Sequence, residues 1–97
     1  MKHRFLNVAE TEMFEAAFYF ETESRGLGFE FLEEASHCIE QIKSFPHAWP
    51  EVRPGIRKHL TKKFPYSLLY CIRENNTILI IAVMHCKKIP EYWVDRL

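Results

Sequence analysis

Apolar residues recur at helical spacing through the first half of the chain. Between Glu10 and Glu23 they return every three or four positions while glutamates fill the opposite face, which predicts an amphipathic helix. A second stripe of this kind begins at Leu27 and should end before Pro46, because the residue before a proline disfavours the helical conformation. Gly26 can take the left-handed conformation that ends a helix. We therefore expect two antiparallel helices packed as a hairpin.

Strand-like patterns follow in the second half of the chain. Residues 55–63 predict a modest strand, and residues 66–73 and 77–85 predict two stronger strands that are rich in aromatic and β-branched side chains. Both strong strands are apolar at nearly every position. This is typical of strands that are covered on both faces.

Three weaker segments complete the predicted order of elements. Residues 3–8 predict a short first strand, the proline-rich residues 45–55 predict a rigid loop, and residues 90–96 predict a terminal helical turn. The order strand, helix, helix, strand, strand, strand (β-α-α-β-β-β) indicates an α+β fold. We expect a small, mainly antiparallel sheet with the helix hairpin packed on one face, forming a single domain over residues 1–97.

The two strong strands predict a hairpin that turns at residues 75–76. A tight turn there would place Tyr66 opposite His85 and Tyr70 opposite Ile81, although a slip of one residue would change every pair. A tyrosine beside a histidine at the end of a sheet could perform acid–base chemistry, because histidine titrates near neutrality. The alternative is a strand-end histidine that bonds only to backbone or to water.

Charge is divided unevenly along the chain, although the formal net charge is zero. Residues 1–51 carry four basic and ten acidic side chains, and residues 52–97 carry nine basic and three acidic ones. The basic half could bind an anionic or acidic macromolecule, while solvated charge that protects strand edges from aggregation explains it equally well. The predicted target-binding residues are Arg57, Lys62, Lys63, Tyr66, Arg73, His85, Lys87, Lys88, Tyr92 and Trp93.

The sequence gives no sign of a metal, a cofactor or a membrane span. Its three cysteines have no CxxC spacing, which favours free thiols in a reducing cytoplasm, and its five histidines lack the spacing of metal ligands. His85 and Cys86 are adjacent on a predicted strand, so their side chains point to opposite faces and do not form a catalytic pair. The longest apolar run, residues 78–84, is too short to cross a bilayer. We expect a cytoplasmic protein without cofactors.

Several stretches, taken together and in order, resemble one protein family. They are Gly26–Gly28 with Phe31–Glu34, Pro46–Gly55, Phe64–Tyr70 and Val83–Trp93. Over nearly the whole chain they resemble the RelE/ParE superfamily, the toxins of bacterial toxin–antitoxin pairs that are often called plasmid stabilisation proteins. The resemblance implies a cognate antitoxin as partner and a toxin–antitoxin hetero-oligomer.

The superfamily contains two activities, and the sequence favours one of them. RelE-like members cut messenger RNA on the ribosome, whereas ParE-like members inhibit DNA gyrase. Positions where the RelE-like pattern has arginine are Ser67 and Cys86 here, which removes cationic stabilisation of the transition state. The zero net charge also suits ribosome binding poorly. The resemblance therefore implies a ParE-like inhibitor of DNA gyrase without catalysis of its own.

Two alternatives stay open. One is a ribosome-dependent endoribonuclease that acts on mRNA, and the other is a weakly toxic relative that mainly binds its antitoxin. If the protein is an enzyme, the residues expected to act are His85, Lys87, Lys88 and Tyr92.

The first helix carries more aromatic side chains than one core face requires. That surplus suggests that a partner covers the helix. With the resemblance, it implies an antitoxin that lays an amphipathic segment on the helix hairpin and is acidic where it meets the basic strands. The predicted antitoxin-contact residues are Met13, Phe14, Ala17 and Phe18.

Overall fold

The computed structural model describes residues 1–97. The elements in chain order are β1 (Lys2–Phe5), α1 (Asn7–Glu23), α2 (Leu27–Ser44), β2 (Glu51–Arg53), β3 (Ile56–Leu60), β4 (Tyr66–Arg73), β5 (Thr77–His85) and a 3-10 helix at Val94–Arg96. They form a 5-stranded sheet in the order β1-β5-β4-β3-β2, with β1 parallel to β5 and all other pairs antiparallel. The helix hairpin packs on one face, which confirms the predicted α+β class.

The first helix begins earlier than predicted, and the first strand is correspondingly short. The prediction began α1 at Glu10 and continued the strand to residue 8, but the helix begins at Asn7. The amides of Ala9 and Glu10 both bond to the carbonyl of Leu6, each at 3.0 Å, which closes the first turn. Ala9 is fully buried, because it extends the apolar stripe of the helix by one turn toward the N-terminus.

The connection between the helices depends on two glycines and one glutamate. Gly26 has a φ of 87°, the left-handed conformation that glycine adopts without strain. Glu21 accepts hydrogen bonds from the amides of Gly26 and Gly28, both at 3.0 Å, and so caps the N-terminus of α2 with a negative charge. A Cβ on Gly28 would lie 2.5 Å from the carbonyl oxygen of Ala17, so glycine lets the two helices approach closely.

Part of the predicted loop at residues 45–55 is a strand. β2 (Glu51–Arg53) pairs antiparallel with β3 at the edge of the sheet, where flanking prolines such as Pro50 are tolerated because outward-facing amides need no partner. Gly55 turns the chain at a φ of 79°, and its amide donates to the Glu51 carboxylate at 2.5 Å.

The strand predicted to reach residue 63 ends at Leu60. The Thr61 hydroxyl donates to the carbonyl of Phe64 at 2.6 Å, and the Thr61 amide donates to the carbonyl of Tyr66 at 3.0 Å. These two bonds close a tight turn before β4. Residues 61–63 therefore belong to the turn and not to the strand.

The hairpin of β4 and β5 has the predicted register at one end only. Tyr66 pairs with His85 as expected, but Tyr70 pairs with Ile80 and not with Ile81. A β-bulge between Leu69 and Tyr70 makes Ile81 an extra residue on β5, which shifts the pairing by one position. The bulge also changes which β5 side chains face the helices.

Both faces of the central strands are covered, as predicted. The helix side holds one buried cluster, to which Phe31, Leu68 and Ile80 belong. On the opposite face the C-terminal segment places Trp93 in a second cluster with residues that include Leu79. Residues 94–96 form the 3-10 turn where a terminal helical turn was expected. Neither helix has the length and apolar character that a bilayer-crossing helix requires.

Candidate functional site

A cleft, which we call the Tyr–His cleft, opens between α1, the ends of β4 and β5, and the C-terminal segment. Its volume is about 200 Å³. The sheet register brings Tyr66 and His85 to it, and the turn after β5 adds Lys88 and Tyr92. Four predicted target-binding residues therefore meet in one place. The lining residues are Glu12, Glu15, Ala16, Tyr19, Tyr66, Val83, His85, Lys88 and Tyr92.

Tyr66 and His85 form an edge-to-face pair across β4 and β5. Their ring centroids are 5.1 Å apart with an interplanar angle of 78°, a geometry that aromatic rings prefer. Burial raises the pKa of the Tyr66 phenol, and the nearby Tyr19 and Glu12 raise it further because negative charge opposes ionisation. At neutral pH the Tyr66 hydroxyl is therefore protonated and available as a hydrogen-bond donor.

The imidazole of His85 is held in one tautomer. Its Nδ1 accepts a hydrogen bond from the backbone amide of Lys87 at 3.0 Å. Because an amide can only donate, the neutral ring carries its proton on Nε2. His85 therefore presents a donor at Nε2.

A hydrogen-bond network is centred on Glu12, which lines the cleft together with Val83 and Tyr92. Its Oε1 accepts from the amide of Val83 at 3.0 Å and from Arg96 at 2.8 Å, and its Oε2 accepts from Tyr92 at 2.5 Å and from Arg96 at 2.8 Å. Arg96 also donates to the carbonyl of Ile81 at 3.0 Å. The pair thus satisfies the carbonyl of the bulge residue Ile81 and the amide of Val83, two residues further along β5.

This network changes the pKa values of Glu12 and Tyr92. Burial opposes ionisation of Glu12, but hydrogen bonds from Arg96, Tyr92 and the Val83 amide more than offset it and lower the pKa of that carboxyl. For Tyr92, burial and then the bond to Glu12 raise the pKa of the phenol far above its ordinary range. Tyr92 therefore stays protonated at neutral pH, and its hydroxyl donates to Glu12. Lys88 lies with its Nζ 5.1 Å from the centroid of the Tyr92 ring, within cation–π distance.

Neither Glu12 nor Arg96 was predicted from the sequence as a site residue. Glu12 was grouped with the solvent-facing glutamates, although it lies at helical spacing between the buried residues Ala9 and Ala16. That position on the apolar stripe was the available signal. Nothing near Arg96 in the sequence indicated that it would reach α1.

The cleft does not concentrate positive charge. Glu12 is paired with Arg96, which leaves the carboxylate of Glu15 and the ammonium of Lys88 as the remaining charges of its lining. These two charges balance each other. A phosphodiester would gain little electrostatic attraction here, whereas a neutral or mixed-charge protein surface is compatible with the lining.

The other predicted basic residues do not form one continuous patch. Lys62 and Lys63 lie in the turn before β4, at the same end of the sheet as Lys87, and a 2.7 Å bond from the Cys86 amide to the Pro65 carbonyl joins the two turns. Lys63, however, lines a separate cavity whose other residues are Glu30, Glu33, Glu34 and His37. The Lys62 amide donates to the carboxylate of Glu34.

Arg57 and Arg73 lie away from the cleft. The Arg57 guanidinium donates to the carbonyls of His47 at 3.2 Å and Trp49 at 2.6 Å and lies 3.9 Å from Glu51, so it stabilises the loop before β2. Arg73 ends β4 at the hairpin turn, at the far end of the sheet from His85. Neither arginine lines the Tyr–His cleft.

Trp93 has to be removed from the predicted target-binding set. Its side chain is 3% exposed and belongs to the second core cluster, because the uncovered face of a central sheet needs an apolar cover. Of the positions where a RelE-like pattern has arginine, Cys86 is exposed, and Ser67 is fully buried with no partner for its hydroxyl. The structure also contains no group of three potential ligands placed to hold a metal ion.

The predicted antitoxin-contact residues divide into two classes. Phe14 and Phe18 are 53% and 73% exposed, one helical turn apart on α1. Met13 packs against the core, and Ala17 is buried where α1 meets Gly28, so Ala17 cannot contact a partner directly. The predicted contact set is therefore reduced mainly to its two aromatic members, Phe14 and Phe18.

The fold resembles that of a solved toxin–antitoxin structure. A chain of "Chromosomal ParDE TA system from P. aeruginosa" superposes with a TM-score of 0.60 and 18% sequence identity, covering 88% of this chain and 95% of that chain. At this level of identity the likeness establishes a shared fold. No protein-family model matches the sequence, and no curated protein matches it.

Proposed function

We propose that the protein is the toxin of a type II toxin–antitoxin pair, similar to ParE, and that it acts by binding DNA gyrase. The observation that carries the proposal is the fold likeness to a chain of a ParDE system over 95% of that chain's length. The order of sequence motifs described above supports the same class independently. Inhibition by binding is the mode that agrees best with the Tyr–His cleft.

The chemistry of the cleft argues against RNA cleavage. Attack by a ribose 2′-hydroxyl requires a base, an acid and positive charge near the phosphate. The proton of Tyr92 is held by Glu12, and Nδ1 of His85 is occupied by the Lys87 amide. The carboxylate of Glu15 balances the charge of Lys88. The cleft offers hydrogen-bond donors and aromatic surface, which suits contact with another protein.

A gyrase supercoiling assay with the purified protein tests the proposed target. We expect inhibition that grows with toxin concentration, and a loss of inhibition in the exposed cleft variant Lys88→Ala. The matched control is Lys43→Ala, which removes a lysine that is bonded to Glu40 on α2 and lies outside the cleft. Unchanged supercoiling at a large molar excess of the wild-type protein would rule out gyrase as the target.

A second candidate function is a ribosome-dependent endoribonuclease. The observation in its favour is that Tyr66, His85, Lys88 and Tyr92 do meet in one cleft. It predicts translation-dependent breaks in mRNA that disappear in the His85→Ala variant. Growth arrest with intact transcripts would exclude cleavage, and harmless overexpression without a partner would favour the weakly toxic relative.

We further propose that the antitoxin covers the exposed aromatic residues of α1. Phe14 and Phe18 present two adjacent rings at the spacing that an amphipathic segment recognises. Phe18→Asp should weaken the complex by about tenfold or more, which titration calorimetry measures. Phe45→Asp is the matched control, because Phe45 is 65% exposed but lies at the far end of α2. Equal effects of the two substitutions would contradict this placement.

A further inference from the structure

A second basic site, which we call the hairpin-end site, lies at the opposite end of the sheet from the Tyr–His cleft. It is an open depression of about 400 Å³ beside the turn between β4 and β5. None of its lining residues is hydrophobic. The residues are Arg4, Arg73, Glu74, Asn75 and Thr77.

The sheet register explains why two arginines from distant parts of the sequence meet there. Arg4 on β1 pairs with Leu79 on β5, and Arg73 on β4 pairs with Thr77. Directly paired residues of neighbouring strands present their side chains on the same face, and alternate residues of a strand share a face. Leu79 belongs to the cluster beneath the C-terminal segment. Both arginines therefore lie on the face of the sheet that is turned away from the helices.

The electrostatic surroundings of the buried Cys71 thiol are consistent with this placement of the two arginines. Burial raises the pKa of Cys71, and the positive charges of Arg73 and Arg4 both act to lower it. The two guanidinium groups are thus near the same sulfur atom. Arg4 on β1 and Arg73 on β4 therefore place positive charge over the same region of the sheet face.

The positive charge of the hairpin-end site is uncompensated by ion pairs. Lys2, Arg4 and Arg73 are exposed, and none of them forms a salt bridge. Lys2 pairs in register with Thr77 and adds a third cation beside the depression. Glu74 is the single acidic residue of the lining.

We propose that the hairpin-end site binds the phosphate backbone of a nucleic acid. The planar guanidinium groups of Arg4 and Arg73 match the geometry of phosphate oxygens, and the side chains of Asn75 and Thr77 can donate further hydrogen bonds. An acidic protein segment is the poorer fit, because protein interfaces have apolar or aromatic centres and this lining has neither. The lack of an aromatic platform also means that bases are not stacked, so binding is independent of sequence.

Fluorescence anisotropy with a labelled 20-base-pair DNA duplex at low salt tests this proposal, which does not depend on the proposed toxin function. We expect binding that weakens steeply as salt is added. The double variant Arg4→Gln/Arg73→Gln should bind about tenfold more weakly, and the slope of log K against log salt should fall by about 2. The control Arg25→Gln/Lys43→Gln removes two charges from the helical part of the chain and should change binding far less.

Three results would overturn the proposal. They are no binding by the wild-type protein, equal losses in the two double variants, and tighter binding of a labelled polyglutamate peptide than of the duplex. An NMR titration of the wild-type protein adds a test that misfolding of a variant cannot affect. In this titration, the duplex should shift the backbone amide signals of residues 73–77 more than those of α2.

Discussion

Glu12 and Arg96 connect three parts of the chain that are distant in sequence: α1, the bulge in β5 and the C-terminal segment. Together they bond to the amide of Val83 and the carbonyl of Ile81. Both side chains are largely buried, with 18% and 15% of their surfaces exposed. Removing one partner would leave the other charge, and one backbone group at the bulge, without compensation.

Arg96→Met should therefore lower the free energy of unfolding by about 3 kcal/mol, measured by urea denaturation. The double variant Glu12→Gln/Arg96→Met should lose less than the sum of the two single variants, because it leaves no unpaired charge.

The folded-state pKa of Glu12 lies below its unfolded value. Its contribution is thus present above the unfolded pKa and is lost as the pH falls through the folded pKa. The stability difference between wild type and Glu12→Gln should shrink on acidification, and a difference that does not vary with pH would contradict this account.

Ser67 is a buried hydroxyl without a hydrogen-bond partner. An unsatisfied buried polar group costs free energy that an apolar group of similar size does not. Ser67→Ala should therefore raise the free energy of unfolding by about 1 kcal/mol in chemical denaturation. Thr61→Ala is the contrasting variant, because the Thr61 hydroxyl donates to the carbonyl of Phe64 at 2.6 Å, and it should lower stability. A loss of stability in Ser67→Ala would show that the hydroxyl makes a favourable contact.

At the scale of elements, the helix hairpin depends on close contact between α1 and α2 at Gly28. Alanine is the better helix former by about 1 kcal/mol, so helix propensity alone predicts that Gly28→Ala stabilises the protein. The packing predicts the opposite, because the new Cβ would lie 2.5 Å from a backbone oxygen of α1. Backbone cannot move aside as a flexible side chain can.

Gly28→Ala should lower the midpoint of thermal unfolding. The free energy of unfolding should fall by about 2 kcal/mol, because overpacking of a well-packed core costs about 1–3 kcal/mol. Ser36→Ala, on the exposed side of α2, provides the comparison and should be neutral or slightly stabilising. If both substitutions stabilise the protein, the two helices do not approach each other at Gly28 as closely as described.

At the scale of the whole molecule, the protein consists of three layers: the helix hairpin, the sheet and the C-terminal segment. The first two form the cluster that contains Phe31 and Ile80, and the third covers the opposite face of the sheet with Trp93. Glutamates dominate the helices, whereas lysines and arginines dominate the strands and turns. The Tyr–His cleft and the hairpin-end site lie at opposite ends of the sheet, so each can be altered without disturbing the other.

Trp93→Ala should lower the free energy of unfolding by about 3–5 kcal/mol, because it removes the largest side chain that covers this face of the sheet. Ile89→Ala is the matched control. It lies in the same segment but is 75% exposed, so its effect should stay within about 0.5 kcal/mol. Comparable effects of the two variants in urea denaturation would mean that the segment does not pack as described.

The strong periodic patterns could be predicted because they depend on local spacing. The helix hairpin and the pairing of Tyr66 with His85 followed from the positions of apolar residues and of the turn at Asn75. The bulge at Ile81 could not be predicted, since an extra residue in one strand leaves no trace in a run that is apolar throughout. The strand at Glu51–Arg53 was missed because prolines on both sides indicate a loop when the edge of the sheet is not yet known.

The sequence by itself determined the order of the elements, the covered faces of the central strands and the separation of charge. Each of these depends on neighbours within a few positions along the chain. Only the tertiary structure decided which charged and aromatic residues meet. It paired Glu12 with Arg96, buried Trp93 and placed Arg73 beside Arg4, far from the cleft. The physical reason is that contacts between distant segments depend on strand order and register, which the sheet sets as a whole.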